Sequence, residues 1–295
     1  MSDIRTVLFS IPVHERPDIV RDQIRNIKAF CPDSVVCLHV SRSAGDDITA
    51  YLNVAKEEGA LVNPNRLDTG NGHSGIFHVH CSNFCFVRDE GVPFYAITLL
   101  SSNELLIRTG LEDFIQERRV GCQTVLAETT ANWHLFRYDL LEKLRGNGFL
   151  QHLGVDTYFG GQAEGQFYRA EIFEIIAKAY TDFFPSDLPP GFEAEEIIPP
   201  TVIASLAAQG ANISAPITLC DYCHDLQITS DLIMKIRGGR GVIYALKFRG
   251  MLASPHVGWS SFDNIFSVKR VPREECELRT FIRDLGVAGS EGHEA

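Results

Sequence analysis

The stretch Tyr95–Gly110, YAITLLSSNELLIRTG, decides the fold. Apolar Tyr95, Ala96, Ile97, Leu99 and Leu100 run together and then stop at Ser101, Ser102, Asn103 and Glu104. A continuous apolar run is what a strand buried on both faces requires, and such strands belong to parallel sheets covered by helices. Polar side chains at the carboxyl end of such a strand sit where open α/β sheets bind ligands. The plainer reading is a strand that ends in an ordinary polar turn.

Outward from this strand the same alternation repeats. Thr6–Val13 (TVLFSIPV) reads as a first strand ending in the loop Pro12–Pro17. Residues 18–30 place Ile19, Val20, Ile24, Ile27 and Phe30 at helical spacing, with Asp18 as the expected cap. Ser34–Val40 reads as a second strand, followed by Ser41-Arg42-Ser43, and Asp46–Gly59 as a second helix stopped by glycine. Ala60–Val62 makes a short third strand, and the glycine-rich loop Gly70–Gly75 opens a helix over Ile76–Arg88. Strand and helix alternating in units of about 30 residues imply a parallel sheet with helices packed on it.

The carboxyl half is less regular. Strands are expected at Cys122–Glu128, Trp133–Arg137 and Phe266–Val271. Helices are expected within Gly161–Tyr180 and at Thr201–Gln209, Ile228–Arg237 and Cys276–Leu285, with a proline-rich loop from Pro185 to Pro200. No repeat or low-complexity linker divides the chain. The expectation is one domain over residues 1–286, in two halves (1–120 and 121–286), with a disordered tail over 287–295.

Of the 295 residues, 45% are hydrophobic and 22% charged, which suits a packed core. The formal net charge of -11 argues against nucleic-acid binding, which takes a basic face, while leaving room for a local basic pocket. No apolar run reaches about 18 residues, so no transmembrane segment is expected. The opening MSDIRTVLFSIPVHERP lacks a basic leader with a long apolar stretch, which points to a cytoplasmic protein. Eight scattered cysteines then read as reduced thiols. Cys220-Asp221-Tyr222-Cys223-His224 has the spacing of a c-type haem attachment. Such attachment requires export, and a lone pair of cysteines falls short of the four ligands of structural zinc, so local structure is the favoured reading.

Seven segments, in chain order, resemble the core-2/I-branching-type N-acetylglucosaminyltransferases and their bacterial relatives. They are VLFSIPVHERPDIV, VVCLHVSRS, GNGHSGIFHVHCSNF, FYAITLLSSNELLIRTG, GQFYRAEIFEII, FEAEEIIPPTVIASL and NIFSVKRVPREECELRTFI. The resemblance implies an α/β chain with the Rossmann-like GT-A fold: a mostly parallel sheet, helices on both faces and an elaborated C-terminal half. It also implies a glycosyltransferase that moves a sugar from a UDP-sugar donor to a carbohydrate or glycoconjugate hydroxyl, with inversion.

Such a transfer needs one general base, and a carboxylate within hydrogen-bond reach suffices. The resemblance points to Glu196, which lies five positions before Thr201 and is paired with Glu195; adjacent like charges raise a carboxyl pKa. By the same resemblance Lys269 and Arg270 hold the diphosphate. Pro12, Val13, His14 and Arg16 on the first loop, with Ser41 and Arg42 on the second, are candidates for the base and ribose. His73 and Ser74 open a helix whose amino end favours anions, and Ser101, Ser102 and Asn103 close the central strand. The chain has no Asp-x-Asp pair for a metal. Glu104 is the nearest stand-in and would hold Mn²⁺ or Mg²⁺, unless basic side chains replace the metal. Gln166 is an acceptor-side candidate.

Two other functions fit parts of the pattern. One is a non-catalytic nucleotide-sugar binding protein. The other is a Rossmann-type NAD-dependent oxidoreductase using Gly70, Gly72 and Gly75 with Glu104 on the ribose, although no strand leads directly into those glycines.

Overall fold

The computed structural model describes residues 5–45, 48–69, 75–126, 137–185, 190–207, 213–220, 227–239, 242–244 and 259–291. The first third is strand and helix in turn: β1 (Val7–Val13), α1 (Pro17–Phe30), β2 (Val35–Val40), α2 (Thr49–Glu58), β3 (Leu61–Val62), α3 (Ile76–Asp89) and β4 (Ala96–Leu99). Shorter pieces follow: β5 (Leu105–Leu106), α4 (Leu111–Arg118), β6 (Val120–Gly121), β7 (Val125–Leu126), α5 (Tyr138–Gly146), α6 (Phe149–Leu153) and β8 (Phe159–Gly160). Next come β9 (Gln166–Arg169), α7 (Ala170–Phe183), α8 (Ala194–Ala207), β10 (Thr218–Leu219) and α9 (Ser230–Arg237). The chain closes with β11 (Val242–Tyr244), β12 (Trp259–Ser261), β13 (Ser267–Val268) and α10 (Glu277–Glu291).

The central sheet has the order β3-β2-β1-β4-β9-β6. β1 pairs in parallel with β2 on one side and with β4 on the other, Ser10 standing opposite both Cys37 and Leu99. β9 runs against β4, with Gln166 opposite Leu99, and β6 runs against β9. The chain is therefore α/β, with a mostly parallel sheet.

Alternate residues of β1 enter different cores. Val7, Phe9, Ile11 and Val13 pack with α1, α2 and α4, whereas Leu8 joins the core built from α3, α5, α6, α7 and α8. Helices thus cover both faces, as the period-2 side-chain alternation of a doubly covered strand demands. A three-stranded sheet, β10-β13-β5, packs with α9 and α10 into a third core beside the carboxyl end of β4. No helix among the described residues is long and apolar enough to cross a membrane.

Several elements depart from the sequence expectation, three of them near a terminus of a helix. α1 starts at Pro17, so Asp18 is no cap; it lies in the first turn, where its charge favours the helix amino end. α10 runs to Glu291, well into the tail expected to be disordered from 287. The expected loop before Thr201 is helical: α8 starts at Ala194 and contains Pro199 and Pro200. A helix bonds each N–H to the carbonyl four residues back, so these prolines leave the Glu195 and Glu196 carbonyls without helical donors. Gln166 Nε2 donates to the Glu195 carbonyl at 3.1 Å, and the Gly161 N–H donates to the Glu196 carbonyl at 2.9 Å. The two prolines thereby dock the loop before β9 onto the start of α8.

Candidate functional site

The strand order reverses at β1, whose two neighbours are β2 and β4. Open α/β sheets bind ligands outside the carboxyl ends of strands at such a point. Pro12, Val13 and His14 lie there at the end of β1, Ser41 and Arg42 at the end of β2, and Ser101 and Ser102 after β4.

The basic carboxyl-terminal segment is fastened to the same edge. Asn103 Nδ2 donates to the Val271 carbonyl at 2.9 Å, and Arg273 pairs with Glu15, Nε to Oε2 at 2.7 Å. Arg16 meets Glu274 at 3.1 Å. Arg279, only 1% exposed, pairs with Asp22 of α1, donates to the Pro272 carbonyl at 2.6 Å and also reaches the Asn103 side-chain oxygen. The first loop, the end of β4 and the Lys269–Arg273 segment therefore form one rim.

Along this rim several candidate side chains are already engaged by the protein. The Ser41 hydroxyl is buried and accepts the Thr69 N–H at 3.1 Å, closing the second loop. Arg42 donates to the Arg66 carbonyl at 2.8 Å, and Arg16 spans Asp18 and Glu274. Asn103 adopts a left-handed backbone (φ 66°) and spends its side chain on Val271 and Arg279. These bonds fix the course of the rim loops. His14 stands exposed at the mouth. His73 and Ser74 lie outside the described residues, as do Gly70, Gly72, Trp133, Cys223 and His224.

Behind the rim the structure gathers charged groups from four separate segments. Lys269, at the end of β13, pairs with Glu164 from the loop before β9. Glu104, after β4, is fully buried; its Oε2 accepts the Ser101 N–H at 2.5 Å and its Oε1 has no partner. Burial chiefly, with Glu164 adding to it, pushes the Glu104 carboxyl up to about 8, against the pull of Lys269.

Glu195 and Glu196 sit in the first turn of α8. Glu195 is buried with Oε2 unpartnered, and its carboxyl is pushed well above the usual range by burial and by Glu196, Glu164 and Glu193. Glu196 keeps a partly exposed face; burial, then Glu164 and Glu193, lift it to about 8, while Lys269 opposes the rise. Burial alone would lower Lys269, but Glu164 and Glu104 overcome it and hold the ammonium above its ordinary value. One partly buried cation thus faces a cluster of carboxylates, two of which, Glu104 and Glu196, are pushed up to about 8, the kind of perturbation that clusters at functional sites.

Three expectations fail here. Glu104 does not fit a Mn²⁺ or Mg²⁺ ion: one oxygen is held by an amide, burial favours its protonated form, and an ammonium stands beside it. Among the described residues no group of three or more His, Cys, Asp or Glu is arranged to hold a metal. The same inward-facing carboxyl cannot reach a cofactor ribose, so the NAD reading loses its acidic residue. Gln166 is also fully buried: it bonds to Tyr168, Gln162 and the Glu195 carbonyl, so it is no acceptor contact.

Glu164 was missed by sequence reasoning because it is a single carboxylate in a glycine-flanked loop. Its signal was Gly165, whose φ of +73° and contact with Thr218 exclude a side chain and fix the loop's course.

No family model matches the chain, and no curated protein matches it by sequence. Several solved structures are similar in shape. The galactosyltransferase LgtC, in complex with donor and acceptor sugar analogues, is 9% identical with a TM-score of 0.39, the match covering 96% of this chain and 95% of that one. S. aureus TarS is 10% identical with a TM-score of 0.36, covering 71% of this chain and 34% of that chain, so the present protein spans about a third of TarS. A nucleoside-diphosphate-sugar pyrophosphorylase from Vibrio cholerae RC9 is 10% identical with a TM-score of 0.41, covering 71% of this chain and 91% of that one. At such similarity the activity of this protein has to be argued from its own site.

Proposed function

We propose that the protein is a GT-A-type glycosyltransferase that takes a UDP-sugar and transfers the sugar, with inversion, to an acceptor hydroxyl. The observation that carries this reading is the convergence of Glu196, Glu164, Glu104 and Lys269 at the carboxyl edge of a parallel sheet. The ordered resemblance of seven sequence segments supports it from a separate direction. The donor's base and ribose lie over the ends of β1 and β2, read by backbone groups of Pro12–His14 and the Ser41–Arg42 turn. The diphosphate lies by Lys269, Arg270 and the Ser101-Ser102 turn.

In the transfer step the acceptor oxygen bonds to the anomeric carbon as the bond from that carbon to the diphosphate oxygen breaks. The hydroxyl proton passes to the Glu196 carboxylate, and the bonding pair leaves on UDP, where Lys269 and Arg270 balance its charge. Glu196 suits the base because it alone of the acidic pair keeps an exposed face. Glu195 then serves as its buried neighbour.

A base must be unprotonated, so with Glu196 near 8 the kcat/KM rises with pH and levels off above that value. Isothermal titration with UDP tests the site, and release of UDP from a panel of UDP-sugars with oligosaccharide acceptors tests the reaction. Binding without any product would leave a nucleotide-sugar binding protein; no binding of UDP would sink the assignment.

A further inference from the structure

Glu164 takes no part in the step above, yet it is what holds Lys269. Its loop is pinned at both ends and in the middle. The Gly161 N–H donates to the Glu196 carbonyl at 2.9 Å, and the Gly165 N–H donates to the Leu99 carbonyl at 2.8 Å. The Gln162 amide donates to the carbonyls of Glu164 at 2.7 Å and Thr218 at 2.8 Å. A carboxylate on so fixed a backbone stays beside the ammonium; the two side chains are 12% and 25% exposed. An anion entering from the rim therefore finds the partly buried Lys269 ammonium already occupied.

We propose that Glu164 is a built-in stand-in for the diphosphate: it holds Lys269 in the empty site, the ligand's phosphate oxygens displace it, and the site takes up a proton as they do. This rests on the nucleoside-diphosphate reading given above and adds a control to it. The groups facing the pair decide the proton's direction. Glu104 faces it from the turn after β4, and Glu193, Glu195 and Glu196 face it from the start of α8. Cys220 after β10 and Arg270 beside Lys269 complete the surround. Carboxylates outnumber cations, and Glu104 and Glu196 both feel Glu164 as a like charge. Drawing the ammonium toward an anion removes part of its hold on these carboxylates, so a proton from solvent neutralises one of them. Ligand affinity then falls as pH rises, while Glu196 becomes a better base. Tight donor binding and fast transfer are thereby set against each other along the pH axis.

Calorimetric titration of UDP at pH 8, in two buffers with different heats of ionisation, counts the protons directly. At that pH the terminal phosphate of UDP is already ionised, so any uptake belongs to the protein. The expected result is uptake of about half to one proton per UDP bound. Glu164→Gln should bind UDP roughly tenfold more tightly and take up fewer protons. Uridine, which lacks phosphates, should show neither effect. UDP binding with no proton uptake, or Glu164→Gln leaving affinity and uptake unchanged, overturns the exchange while leaving the site assignment standing. Failure of UDP to bind the unaltered protein overturns the site assignment, and this inference with it. The proton count on the unaltered protein needs no variant to fold.

Discussion

The crevice has a rim and a floor, and they are built on opposite rules. On the rim, Ser41, Arg42, Asn103 and Arg16 each find partners within the protein, mostly backbone carbonyls, amides and opposite charges. On the floor, Glu104 and Glu195 each keep a buried oxygen without a partner, and Glu196 and Glu164 crowd one lysine. Burying polar groups is cheap when they are bonded and costly when they are not. The Ser101 hydroxyl on the rim is also without a partner, so the contrast holds for the charged side chains: those of the rim are bonded, while on the floor two buried carboxyls each keep an unbonded oxygen.

Substitutions can break this contrast. The largest effect is expected at Glu196→Gln, which keeps the shape and removes the proposed base: kcat should fall about 10²- to 10⁴-fold in a UDP-release assay, with UDP affinity almost unchanged. A fall in affinity of the same size would make Glu196 a binding group instead. Next is Arg279→Met, which strips the buried guanidinium from Asp22 and Asn103. Breaking such a buried pair costs about 3–5 kcal/mol, readable as a lower urea midpoint. A loss below about 1 kcal/mol would show that the rim is fastened elsewhere.

The pH dependence of stability is a third measure. Glu104 and Glu196 titrate near 8 in the folded protein, against 4.5 in the unfolded chain, and Glu195 shifts in the same direction. Between those limits the folded state holds more protons, so stability falls as pH rises through 8. His39 and His80, lowered by burial to about 4 and about 3, act in the opposite direction, but their contribution is complete above 6.5. Calorimetry should therefore show Tm dropping by roughly 2–6 °C from pH 6.5 to 8.5, and Glu195→Gln should flatten the slope. A Tm that rises over that interval would contradict the floor as described. The smallest effect is expected at Ser41→Ala: about 1 kcal/mol of stability from the lost loop bond, with UDP affinity unchanged. A large loss of affinity there would make the Ser41 hydroxyl itself a binding group.

The amino-terminal fold was legible because its strands carry their own signal. Apolar runs such as Val7–Val13 and Ala96–Leu99 are buried on both faces, and nothing but a parallel sheet accommodates them. The site was legible only in part. Glu196 and Lys269 were recognisable from a resemblance, and their meeting was not, because β13 lies far along the chain and reaches the site through the small sheet with β10 and β5. Glu104 was read as facing outward because it follows a strand end. The tight turn at left-handed Asn103 sends it inward instead. β9 was overlooked because Gln166–Arg169 is short and follows a glycine-rich loop, although Phe167 and Tyr168 favour strand. The first turns of α8 were hidden by prolines, which propensity excludes from a helix interior and tertiary bonding accommodates here.

Those prolines carry one more consequence. Alanine at 199 and 200 would suit a helix far better, by about 3 kcal/mol per residue on intrinsic scales. Yet the restored amides would compete for the two carbonyls that now tether Gln166 and Gly161. The healed helix would be sturdier by itself and looser in its grip on the neighbouring loop. In this protein an imperfection in one element serves as the hinge pin of another, and straightening it would trade the loop's alignment for toughness.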